Sequence, residues 1–155
     1  MDNIVTVDRK WDLRFLELAK LVSTWSKDPS TQTGAAIVSP DRRVVSVGFN
    51  GFPQNMVDLP ENYSNREEKY SRIVHCEMNA LLFARESTKN CTLYTWPLMS
   101  CDRCFVHMAQ SGIRRFVAPV PSPEIITRWG DAMDKVRKYI KETGLELVEL
   151  DVPFT

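Results

Sequence analysis

Residues 74–104 read VHCEMNALLFARESTKNCTLYTWPLMSCDRC. From Val74 to Arg85 the chain is apolar on nearly every side (Met78, Ala80, Leu81, Leu82, Phe83, Ala84), which predicts a helix buried across a sheet. Thr92-Leu93-Tyr94-Thr95-Trp96 is a β-prone run cut by Pro97. Cys101, Cys104, Phe105 and Met108 then recur at helical spacing, and Gly112 closes that helix. Helix, strand and helix in quick succession are the mark of an α/β fold with a partly parallel sheet.

The same alternation extends in both directions. Upstream, Trp11, Phe15, Leu18, Val22 and Trp25 step along one helical face, and Asp28-Pro29-Ser30 stops it. Ala35–Val38 and Val44–Phe49 form a strand pair around Pro40-Asp41-Arg42-Arg43. A polar stretch from Phe52 to Ser71, with Pro53 and Pro60, reads as a long loop, a length that in small domains often serves function. Downstream, Arg115–Ala118 is a fourth strand. A helix marked by Trp129, Met133, Val136 and Ile140 ends at Gly144, and Leu145–Leu150 is a fifth strand. The expected order is α-β-β-α-β-α-β-α-β: five strands with helices on both faces, in one domain spanning residues 1–155.

Composition narrows the function classes. At 155 residues, 43% hydrophobic and 26% charged, the chain can bury a core without staples. Twenty basic residues balance twenty acidic ones, which argues against binding of long nucleic acid but leaves room for a local phosphate site. The start, Met1-Asp2-Asn3-Ile4, carries no export signal, and no apolar run could span a membrane, so a cytoplasmic setting with reduced thiols is expected.

Four cysteines and two histidines are the scarce residues. Cys101 and Cys104, at i and i+3 of a helical turn, point the same way, and with the imidazole of His75 they suit one zinc ion. Helix N-termini favour the thiolate form. His107 is expected on the outer face and Cys91 reads as a small apolar residue, so the fourth position stays open, the catalytic pattern. Glu77, two residues from His75, is placed to take a proton from water there. His-x-Glu followed by Cys-x-x-Cys matches the signature of zinc nucleobase deaminases.

These residues, with Ser26-Lys27-Asp28-Pro29, Gln32-Thr33-Gly34-Ala35, Gly48-Phe49-Asn50-Gly51-Phe52-Pro53, His75-Cys76-Glu77-Met78-Asn79-Ala80 and Gly112-Ile113, make the chain resemble the cytidine and deoxycytidylate deaminase superfamily, its deoxycytidylate branch most closely. The resemblance runs from Trp11 to about Val148. It implies the three-layer α/β/α cytidine-deaminase-like fold and hydrolytic deamination at C4 of a cytosine nucleotide, with dCMP the leading candidate. It carries the zinc ligands to His75, Cys101 and Cys104 and the proton shuttle to Glu77. It also implies that Asn50 holds the sugar and that Thr33, with the Gln32–Thr33 backbone, walls the base. Cys76 and Ser100 join that pocket by position, where the family's usual residues are alanine and proline; Cys76 itself reads as a small packing residue. One zinc is expected, because the Phe52–Ser71 loop offers neither cysteine nor histidine for a second. A homo-oligomer, with dCTP and dTTP as candidate effectors, is a further implication.

Several readings stay open at this level. Ser26 and Lys27 are phosphate contacts or a solvated helix end; Arg66, Lys69 and Arg72 are a phosphate clamp or a charged loop face. Asn50-Gly51 is also a common turn signal. Trp96 borders the base or is a buried strand-end aromatic. Leu13 and Leu16 are candidates for a subunit interface. The competing functions are a deaminase of cytidine, cytosine, guanine or transfer-RNA adenosine, and a non-catalytic, zinc-stabilised binding domain. Neutral charge disfavours the transfer-RNA option, and an intact Glu77 disfavours the binding domain.

Overall fold

The computed structural model describes residues 2–154, with side chains from Arg9 onward. Met1, Thr155 and the side chains of residues 2–8 lie outside the described residues, and with them much of the N-terminal stretch read for an export signal. In chain order the elements are α1 (Asp2–Ser23), β1 (Gly34–Val38), β2 (Val44–Phe49), α2 (Pro60–Ser64), α3 (Arg66–Arg72), α4 (Cys76–Phe83), β3 (Thr92–Trp96), α5 (Asp102–Gln110), β4 (Arg115–Pro119), α6 (Pro123–Thr143) and β5 (Glu146–Leu150).

The strands form one sheet in the order β2-β1-β3-β4-β5. β1 runs antiparallel to both β2 and β3, while β3, β4 and β5 are parallel, so the expected five-stranded mixed sheet is present. Alternation along the strands builds two cores. Ala35, Ile37, Leu93, Phe116 and Ala118 face α4, α5 and α6; Ala36, Val38, Tyr94 and Val117 face α1. Every residue of β1 is buried, as befits a strand covered on both faces.

Three sequence expectations change. The Phe52–Ser71 loop contains two short helices, α2 and α3. Asn65 caps α3 by accepting from the Glu68 amide, and Tyr63 is buried with its ring stacked 4.2 Å from Phe52. The inward face of α1 is rotated from the expected one: Leu16 and Ala19 are fully buried, whereas Trp25 is 51% exposed. Leu16 is therefore core, not interface, and Leu13 packs against the same core. Asp12 disguised that face; it is buried because Arg115 pairs with it at 2.9 Å and the Tyr94 hydroxyl donates to it at 2.6 Å. Finally, the all-apolar helix is shorter than expected and not wholly buried: Leu82 and Phe83 stand 62% and 49% exposed.

Two glycines set the helix–sheet distances. A Cβ on Gly34 would lie 2.1 Å from the Ala19 carbonyl oxygen, and one on Gly48 would lie 2.4 Å from the Ala80 nitrogen. Gly48 thus lets α4 rest directly on β2. Among the described residues no helix is long and apolar enough to cross a membrane.

Candidate active site

Two helix starts meet beside the sheet. His75 is the N-cap of α4, with no side-chain cap bond, so its ring is free to turn outward. The bridge between Gly51 and Val74 (N···O 3.1 and 2.8 Å) fixes the backbone entering that cap. Asn79 ties the first turn of α4 to the end of β2 by donating to the Phe49 carbonyl at 2.7 Å. Across from it Cys101 is the N-cap of α5, its sulfur accepting from the Cys104 amide at 3.4 Å.

The donors converge. His75 Nδ1 lies 3.4 Å from Cys101 Sγ and 3.3 Å from Cys104 Sγ, and all donor atoms of His75, Glu77, Cys101 and Cys104 fall within 4.8 Å of one another. Tetrahedral zinc with ordinary bond lengths would hold nitrogen and sulfur roughly 3.5 Å apart, so the set fits the ion with little movement. One imidazole and two thiols are also zinc's preferred chemistry.

Electrostatics agree. The Cys101 thiol is pushed down to about 4, chiefly by the hydrogen bond from the Cys104 thiol, with help from His75 and the Cys104 amide and against its burial. Cys104 is pushed up for the reciprocal reason, as the donor in that bond, and by burial and the Glu77 carboxylate. Binding of a divalent cation by thiols displaces their protons, so a lowered Cys101 pKa favours such binding. His75 is pushed up, mainly by its bond to Cys101.

Glu77 sits in the first turn of α4, 5% exposed, and accepts from the Cys76 thiol at 2.7 Å. Burial raises the Cys76 pKa, so that thiol keeps its proton and serves as a donor to the carboxylate rather than as plain packing. His75, Cys76, Glu77 and Cys101 line a cavity of about 250 Å³ together with Thr33, Asn50 and Ser100. Ser100 is buried, its hydroxyl donating to the Cys101 carbonyl at 2.9 Å.

Asn50 is a hub. Its Oδ1 accepts from the Thr33 amide at 2.8 Å; its Nδ2 donates to the Thr31 carbonyl at 2.9 Å and to Asp28 at 3.2 Å. Its backbone carbonyl accepts from the Ser26 hydroxyl at 2.9 Å. Ser26, Lys27 and Gln32 do not line the cavity. Ser26 is buried holding Asn50, Gln32 donates to the Ser26 carbonyl at 2.6 Å, and Lys27 is exposed, paired with Asp58 at 2.8 Å. Ser26 and Gln32 are spent on ordering the loop that carries Thr33, and Lys27 on a surface ion pair. Trp96 also lies off the cavity, its ring 5.5 Å from Phe154 on the α1 side. His107 is exposed against the Arg103 carbonyl, and Cys91 is buried in the core, as expected.

The structure adds lining residues beyond those assigned to the site from sequence. Asp28, a helix stop within the Ser26–Pro29 motif, is buried and paired with Lys69, with N···O distances of 2.8 and 3.0 Å. Lys69, Tyr70 and Ile73 bring α3 to the cavity, and Arg128, Trp129 and Met133 bring α6. Lys69, read with Arg66 and Arg72 as a phosphate clamp or a charged loop face, has the Asp28 carboxylate as its partner, as a buried aspartate requires. Nothing in the helical period of α6 separates wall residues from core residues.

Known proteins show the same features. The sequence model for the cytidine and deoxycytidylate deaminase zinc-binding region matches residues 9–119. An uncharacterised deaminase encoded in the luxG 3′ region of Aliivibrio fischeri is 36% identical over 91% of this chain and 94% of its own length. A protein described as a probable deoxycytidylate deaminase from Caenorhabditis elegans is 39% identical over 70% of this chain; the match spans only 56% of the nematode protein. Among solved structures, dCMP deaminase from the cyanophage S-TIM5 superposes with a TM-score of 0.70 at 19% identity, over 91% of this chain and 98% of that one, and so shows the same fold. Motifs, sheet order and family match agree: the chain belongs, as an enzyme, to the cytidine and deoxycytidylate deaminase family.

Proposed function

We propose that this chain deaminates dCMP to dUMP with release of ammonia, using one zinc ion held by His75 Nδ1, Cys101 Sγ and Cys104 Sγ. The observation that carries this reading is the meeting of one imidazole, two thiols and the buried Glu77 carboxylate within 4.8 Å of one another, with His75, Glu77 and Cys101 lining one cavity. The substrate is supported by the named activity of the nematode relative and by the cyanophage dCMP deaminase, which was solved with dCMP and dUMP.

When bound, the ion polarises water and supports hydroxide near neutral pH. The chain's own residues move the protons. Glu77 accepts one from the attacking water and delivers it to N3 of the ring, making C4 more electrophilic. Oxygen adds to C4, and Glu77 then carries a proton to the departing amine, so water and dCMP become dUMP and ammonia. The Cys76 thiol holds one carboxylate oxygen, leaving the other for this transfer. Thr33 and Asn50 wall the base and sugar, and Ser100 borders the amine. A reducing compartment, the cytoplasm by the sequence reading, would keep the ligand thiols available.

Glu77→Gln tests the assignment. The variant should keep its zinc, measured by mass spectrometry of the metal, while turnover of dCMP falls by roughly 10²–10⁴-fold. Wild-type kcat in that variant would remove Glu77 from the proton path.

A further inference from the structure

Three side chains lining the cavity can carry positive charge: His75, Lys69 and Arg128. His75 is turned to the two thiols. Lys69 is neutralised by the buried carboxylate of Asp28. Arg128 differs. Among the described residues no carboxylate pairs with it, neither Glu124 one turn before it nor Asp131 after it, and its guanidinium lies 4.5 Å from the ring centre of Trp129. It is exposed, as is its fellow lining residue Tyr70 at 62%, so both belong to the solvent side of the cavity.

Ring chemistry fixes what must arrive there. In a cytosine, N1 lies across the ring from C4. With C4 turned toward Glu77, the sugar and its 5′ substituent must therefore leave toward the opposite, open side. An unpaired guanidinium supported on an aromatic face presents fork-shaped donors suited to a phosphate. We propose that Arg128 recognises the 5′-phosphate and thereby makes this enzyme select a nucleotide over a nucleoside. This rests on the cytosine-nucleotide reading of the site. Arg128 lies beyond residue 119, where the family match ends, so the selecting residue comes from a segment outside the shared zinc-binding region.

The test needs no turnover. Binding of the products dUMP and deoxyuridine to the zinc-loaded protein is compared by calorimetry for wild type, Arg128→Gln and Arg128→Lys. Wild type should prefer dUMP by roughly tenfold to a hundredfold, the range for a charged hydrogen bond. Arg128→Gln should bring the ratio close to one, and Arg128→Lys should recover part of it. A preference kept intact in Arg128→Gln would overturn the role of Arg128 while leaving the nucleotide reading standing. A wild type with no preference would overturn the nucleotide reading and this proposal with it.

Discussion

Single side chains in this site do more than one task, and Asp28 is the clearest case. Its carboxylate accepts from the amides of Ser30 and Thr31, from Asn50 Nδ2 and from Lys69, and so links α3 to the loop that carries Thr33. Removing the ammonium with Lys69→Met leaves a buried, unpaired carboxylate, expected to cost about 3 kcal/mol. Denaturant unfolding reads that loss, and Lys69→Arg should restore most of it; an unchanged midpoint in Lys69→Met would show that the pair contributes nothing. At this scale the sequence was most legible where chemistry demands rare residues. His75, Glu77, Cys101 and Cys104 stood out because few other roles need that set. Ser26, Lys27 and Gln32 did not separate from Thr33 in the same motif, because loop-ordering hydrogen bonds and ligand contacts use the same polar side chains.

The elements place those residues by close approach. α4 can offer His75 and Glu77 from its first turn only because Gly48 lets its backbone touch β2. A Cβ there would meet two backbone atoms of α4, 2.4 Å from the Ala80 nitrogen and 2.5 Å from the Cys76 carbonyl oxygen, which no side-chain rotation can relieve. Gly48→Ala should therefore destabilise the fold by about 1–3 kcal/mol and lower zinc affinity as α4 is pushed outward. Thermal unfolding with a zinc-binding titration checks both; full stability and affinity would show that the contact is slack. Strand boundaries were readable within a residue or so, since β-branched runs end at turn residues. The α1 face was misjudged because its centre holds Asp12, and a buried ion pair with Arg115 is invisible to a hydrophobic period. The helices α2 and α3 were hidden for a related reason: they are short and polar, with few apolar residues to mark a period.

The whole molecule leaves several large apolar side chains uncovered. Leu82 and Phe83 on α4 are exposed, as are Phe49 at the end of β2 and Trp25, whose rings meet edge-on at 6.2 Å. The resemblance implies a homo-oligomer, whose contacts would cover side chains of this kind. Light scattering should give a mass above one chain, reduced in Leu82→Glu; a wild-type monomer at micromolar concentration would contradict it. The cavity is likewise a property of the whole, assembled from the loop after α1, from α3, from the starts of α4 and α5, and from α6. His75, Glu77 and Cys101 among these were readable as part of a motif, whereas the α6 wall depended on tertiary packing. Metal-dependent deamination of dCMP is tested by ammonia release from dCMP by zinc-loaded protein, before and after chelation and again after zinc is returned. One ammonia should form for each dUMP, with turnover lost on chelation and recovered with zinc. Zinc-loaded, folded protein that releases no ammonia from dCMP would contradict it.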